Sequence, residues 1–173
     1  MNFSQTYLGK SLEELTYKDI EEFFIEEQVE TETLEFKSGE LFKTINEFKD
    51  SLNKNINRSI TAFLNSSGGL LIWGAPREYK KDGTNIKYCK GELYPINISR
   101  DKDSLISEIT RAISHMPIGI KVKILSSEDG KSHIYIFEVK ESQSKPHQSN
   151  HRYFIRLDGQ TQDAPHLFST STF

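Results

Sequence analysis

Glu30, Glu35 and Lys37 are the residues of this chain whose types and spacing could do chemistry. Glu35 and Lys37 stand two apart in TLEFK, residues 33–37, whose alternation of Leu34 and Phe36 with polar neighbours predicts a half-buried strand. On such a strand the two charged side chains share a face. Glu30 lies just upstream. Carboxylates that converge on one spot can hold a divalent cation, which prefers oxygen ligands. A lysine beside them can neutralise charge developing on a phosphoryl oxygen. That combination suits metal-assisted phosphodiester hydrolysis. The same pair also suits a plain solvated strand face.

Candidate phosphate contacts form a second set: Lys54 and Arg58, one turn apart on a predicted helix, and Arg152 and Arg156 on a predicted strand. Guanidinium groups match phosphate geometry, although each is individually compatible with an ordinary surface charge. Other chemistries find less support. Ser66-Ser67-Gly68-Gly69 follows a helix and precedes a strand, the reverse of a phosphate-cradling loop, so it reads as a helix cap and tight turn. His147 and His151 have helical metal-pair spacing but lie in KPHQSNHRY, a loop-like stretch without a third ligand; His115, His133 and His166 add no pattern. Cys89 is the sole cysteine, which excludes an intrachain disulfide and a cysteine-rich zinc site.

The elements that must position these residues follow from periodicity. Residues 11–27 predict an acidic amphipathic helix. Residues 44–64 predict the clearest helix, with Ile45, Phe48, Leu52, Ile56, Ile60 and Phe63 as its stripe and Asn53, Asn55 and Asn57 weakening its middle. A glycine ends it in the left-handed conformation, and a buried strand follows at 70–74. Residues 77–100 read as a polar loop with a short strand near 86–88. A third helix spans 102–115, with Leu105, Ile106, Ile109 and Ile113 inward and Pro117 closing it. Strands at 120–126 and 132–140 join through an Asp129-Gly130 turn. The second of them is apolar on both faces and so belongs centrally in the sheet. Residues 152–157 read as the last strand, with Tyr153, Ile155 and Leu157 on one face and the two arginines on the other. This order predicts a single α/β (α+β) domain, one mixed β-sheet with helices packed on it.

Length and composition agree. A chain of 173 residues, 35% hydrophobic, suits one domain with one core. The start has no apolar secretory region and no stretch approaches a membrane span, so a cytoplasmic protein without membrane contact is expected. The net charge of -3 hides an asymmetry: residues 1–32 carry -7 and the remainder +4. An acidic leader before a mildly basic body is compatible with a phosphate-binding face on the body.

Taken in order, ETETLEFK at 30–37, ITAFLNSSGGLLIWG at 60–74, IYIFEVKES at 134–142 and YFIRLDGQT at 153–161 resemble the Schlafen AlbA-type domain. The resemblance covers residues 28–165 and leaves 1–27 as an acidic N-terminal helix and 166–173 as a tail. It implies a mixed α/β fold and a role with RNA or DNA. Some Schlafen proteins cut transfer and ribosomal RNA with three carboxylates and a divalent metal, Mg²⁺ or Mn²⁺. Two of those carboxylates fall on Glu30 and Glu35, and the element Glu35-Phe36-Lys37 is intact. The third is expected just after Gly74, where this chain reads Ala75-Pro76-Arg77-Glu78. Glu78 is the nearest substitute, with Asp82 further on, and Pro76 reshapes the loop. The resemblance therefore implies a nucleic-acid-binding domain. Metal-dependent endoribonuclease activity would rest on Glu30, Glu35, Lys37 and Glu78. The alternatives are a non-catalytic DNA-, RNA- or protein-binding module and, more weakly, an ATP-binding regulator. A groove comparable to that of the two-lobed Schlafen nucleases implies a homodimer.

Overall fold

The computed structural model describes residues 2–164; the tail at 166–173, with His166, lies outside them. Its centre is a four-stranded mixed sheet in the order β1 (Leu34–Lys37), β2 (Gly69–Trp73), β7 (His133–Val139), β6 (Ile120–Ser126). β1 runs parallel to β2, with Glu35 opposite Leu71, and the other pairings are antiparallel. β7 is an inner strand, as its two apolar faces predict.

Alternation divides the core between the sheet's faces. Leu71, Trp73, Tyr135 and Phe137 pack on one side against α3 (Ile45–Ser51), α4 (Asn57–Asn65) and α5 (Lys102–Ala112). Leu34, Phe36, Leu70 and Ile72 pack on the other against α1 (Phe3–Leu8), a 3₁₀ turn at Leu12–Glu14 and α2 (Tyr17–Phe23). The single helix expected over 11–27 is thus two short pieces. Ser11 with Glu14, and Thr16 with Asp19, form successive capping boxes. The second restarts the chain after an extended Leu15, because a capping side chain competes with helix continuation. The acidic segment is nonetheless a packed layer, with Leu12, Leu15, Ile20 and Phe24 buried.

The long helix spans its expected range but is interrupted by a π-helical turn at Leu52–Ile56, where the asparagines weaken it. Phe48, Leu52, Ile56, Ile60 and Phe63 are fully buried; Ile45, at 43% exposure, is not part of the stripe. Gly68 takes the expected left-handed conformation, φ +77°, and a Cβ there would meet the Val139 carbonyl at 2.5 Å.

The expectation of one sheet is corrected by a second, antiparallel sheet. Its order is β10 (Gln160–Ala164), β9 (Arg152–Leu157), β8 (Gln148–Ser149), β5 (Ile113–Ser114). Helix α5 therefore ends at Ala112, and Ile113 is buried on a strand. Strand 152–157 is not the last: Asp158 and Gly159, both at positive φ, turn the chain into β10. That Asp-Gly pair is itself a two-residue hairpin signal. Asn150 and His151 make the same kind of turn between β8 and β9, so His151 lies in the hairpin's turn and His147 just before its first strand. A small ribbon, β3 (Tyr79–Lys80) with β4 (Lys87–Tyr88), completes the fold within the segment read as a loop. Among the described residues no helix is long and apolar enough to cross a membrane.

Candidate functional site

A cleft of about 330 Å³ opens where β1, α4, β10 and the β3–β4 ribbon meet. Glu30, Glu35, Lys37, Arg58 and Glu78 all line it, so residues spread over nearly fifty positions share one wall. Lys87, Thr161 and Cys89 line it too, and the sequence carried no signal for them.

Each side chain reaches the cleft for a local reason. In β1, Leu34 and Phe36 turn toward the α2 layer, which sends Glu35 and Lys37 the other way, toward α4. Glu35 is not on a solvated face: its side chain is 4% exposed and contacts Lys37 at 3.4 Å and Arg156 at 3.3 Å. Glu30 is half-buried and accepts the Phe36 N–H at 2.9 Å. Glu78 remains 54% exposed and pairs with Lys87 across the ribbon at 3.1 Å.

Burial pushes the Glu30 carboxyl above its ordinary 4.5; the Phe36 N–H lowers it and neighbouring Glu35 raises it. The folded chain therefore holds this proton more tightly than the unfolded chain. Ionising Glu30 costs folding free energy, so its contribution declines as pH rises from 4.5 through the raised value. Glu30→Gln keeps the acceptor for Phe36 and removes the titration. Urea melts across this pH range should show the variant gaining stability relative to the parent as pH rises, and parallel curves would rule out the burial assigned to Glu30. Burial also pushes the Cys89 thiol up to about 12, which leaves it neutral and a poor nucleophile.

The arginines separate into two kinds. Arg156, read from the sequence as a surface contact, has a side chain with 0% exposure and lies beneath the cleft. It donates to the carbonyls of Thr31, Leu34 and Gly159, at 2.6, 3.3 and 3.1 Å, and to Thr161 Oγ1 at 3.2 Å. Its neighbour Leu157, on the face read as apolar, is exposed. Arg156 is a buttress for Glu35 and the β1 entry, and its donors are directed inward. Arg58 and Arg152 do meet at the surface. They approach the Phe154 ring at 5.3 and 5.9 Å, and Arg58 also donates to the Thr161 carbonyl. Arg152 is 63% exposed and pairs with Asp163. Lys54 is exposed on the π-helical turn and does not line the cleft.

The carboxylates do not fit a Mg²⁺ or Mn²⁺ ion as arranged. Both Glu35 oxygens face cations, Glu78 is drawn to Lys87, and among the described residues no three His, Cys, Asp or Glu side chains form a ligand group. The Pro76-Arg77 step offers no acid nearer Gly74, and the Arg77 guanidinium lies over the Tyr94 ring at 4.5 Å.

A family model described as Schlafen, AlbA_2 matches residues 30–165. No curated protein matches the chain. Among solved structures, the DIP2311 protein from Corynebacterium diphtheriae superimposes with a TM-score of 0.51 at 16% identity over 77% of this chain. The chain spans 25% of that protein, and the likeness is one of fold. The N-terminal domain of a RecG-related protein from Nitrosomonas europaea gives a TM-score of 0.39 at 13% identity, covering 68% of this chain and 69% of its own length.

Proposed function

From the premise that this chain belongs to the Schlafen AlbA_2 family, we propose that it binds nucleic acid through the cleft and the arginine pair beside it. The observation that carries this reading is the convergence at Phe154. Arg58 from α4 and Arg152 from β9 both approach one ring, and Arg58 also lines the cleft with Lys37. Three neighbouring cations of this kind can contact phosphates of a nucleic-acid backbone. Arg156 holds Glu35 and the β1 entry in place beneath them and does not touch the ligand. Pairing with Asp163 keeps Arg152 oriented, and exposure leaves its remaining donors available.

The test is the affinity of the purified protein for labelled RNA and DNA oligonucleotides over a salt series. Affinity should fall steeply as salt rises, and Arg58→Ala and Arg152→Ala should each lower the logarithmic salt slope by about one. A salt-insensitive affinity, or variants that bind like the parent, would remove the basis for the reading.

Cleavage of RNA is a second reading, favoured by Glu30 and Glu35 sharing one wall with Lys37. Against it, the third acid, Glu78, lines the same cleft but stays exposed and paired with Lys87. A transfer-RNA pool incubated with Mn²⁺ or with EDTA decides it. Metal-dependent fragments lost in Glu30→Gln would support a nuclease, and intact RNA alongside salt-sensitive binding would support a binding module.

A further inference from the structure

The central sheet leaves one long edge open. β6 has no strand on its outer side among the described residues. Its hydrogen-bond parity follows from the two ends of its pairing with β7. Lys140 N–H donates to the Gly119 carbonyl, and Ser127 N–H donates to the Ser132 carbonyl. Hydrogen-bonded pairs alternate in an antiparallel ladder, so Lys121, Lys123 and Leu125 also bond to β7. Ile120, Val122, Ile124 and Ser126 therefore turn their N–H and C=O groups outward.

A groove of about 630 Å³ runs along this edge, between Leu12 and Glu13 of the 3₁₀ turn on one side and Ser99–Lys102 with Ile106 of α5 on the other. The two walls differ chemically. Ile120 and Val122 are core residues on the α5 side, with Ile106 and Ile124 packed against them. Lys121 and Lys123 lie on the opposite side, where Lys123 reaches the Glu13 carbonyl at 2.9 Å. Four basic residues of the groove (Arg100, Lys102, Lys121 and Lys123) outnumber Glu13 and Asp101.

We propose that this edge takes an extended peptide segment of another protein as a fifth strand, with side chains alternating apolar and acidic. The outward amides supply the ladder, and period-two alternation sends every second peptide side chain to each wall. Apolar residues then meet Ile106 and Ile124, and acidic residues meet Lys121 and Lys123. A second copy of β6 is the wrong occupant: antiparallel self-pairing about its middle residue sets Lys123 against Lys123, and like charges directly opposite are destabilising.

The test uses fluorescein-labelled peptides of about seven residues, the span of an ordinary strand, alternating Val with Glu or Val with Lys. Fluorescence polarisation should show saturable binding of the Val-Glu peptide to the full chain and none of the Val-Lys peptide. Val122→Pro removes an outward N–H and leaves the β7 ladder intact, since proline is accepted on the open side of an edge strand. It should abolish binding while the thermal melt stays cooperative. Lys121→Glu with Lys123→Glu should weaken binding at least tenfold and provides a second route if the proline variant fails to fold. Equal binding of both peptides, or full binding by the charge-reversed variant, would overturn the proposal. So would displacement of the peptide by a single-stranded oligonucleotide that the charge-reversed variant no longer binds, which would assign the groove to nucleic acid.

Discussion

Arg156→Met should lower the unfolding free energy by about 3–5 kcal/mol, the cost of leaving one member of a buried ion pair alone. Methionine fills much of the aliphatic space but offers no donor. Glu35, at 4% side-chain exposure, would be left with Lys37 as its one cation and the Thr161 hydroxyl as a donor. The Thr31, Leu34 and Gly159 carbonyls would lose their shared donor, and the guanidinium contact with the Phe63 ring, 5.1 Å from its centroid, would go as well. Guanidinium melts of parent and variant would show this as a lower midpoint at an unchanged slope. Arg156→Met combined with Glu35→Gln should recover part of the loss, because the neutral amide no longer strands a charge. Additive losses in the double variant, or a parent-like midpoint in the single one, would mean that Arg156 and Glu35 are not coupled.

Asn65→Ala should cost about 2–4 kcal/mol. The Asn65 side chain is buried at the end of α4 and makes three hydrogen bonds, to β9 and to the residue just before β8. It accepts from the His147 N–H at 2.7 Å and donates to the His147 and Phe154 carbonyls at 2.9 and 3.0 Å. Alanine leaves one N–H and two carbonyls without partners in a place water does not reach, and each orphaned group carries a penalty of about 1–3 kcal/mol. Partial relaxation keeps the sum below the ceiling. Hydrogen exchange at the His147 amide should quicken well beyond the global change, since Asn65 is its acceptor. The same variant should weaken nucleic-acid binding, because Asn65 ties β9, with Arg152 and Phe154, to the helix that carries Arg58. An unaltered melt would show that the second sheet is held mainly by its apolar contacts.

His147 illustrates how far spacing alone can mislead. Its separation from His151 matches a helical metal pair, yet its ring is buried against the Ser142 hydroxyl at 2.6 Å and the His115 carbonyl at 2.9 Å. His151 sits at positive φ in the turn beyond β8. Pro146 and the polar run around them already argued against a helix. The hub formed by Asn65, Ser142 and His147 had no sequence signal, because its partners lie up to 82 residues apart.

What the sequence by itself determined is local and periodic. Alternation in TLEFK set which side chains of β1 face the cleft, and steps of three and four set the buried stripe of the long helix. Asp129-Gly130 set the β6–β7 hairpin, and Gly68 set the stop before β2. Four ordered segments were enough to point to the family, and with it the α/β class. These features depend on backbone dihedrals and on one residue's relation to neighbours a few positions away, which the chain carries in plain order. Tertiary structure alone decided the fate of the charges. Alternation assigns Arg156 and Glu35 to a polar face, and only the approach of β9 to β1, across 121 positions, makes that face an interior one. Burial becomes tolerable there because each charge meets the other and the arginine meets five further acceptors. The division of the strands into two sheets, the meeting of Arg58 with Arg152 over Phe154 and the open edge of β6 have the same origin. Each depends on which distant surfaces come together, and no local period records that.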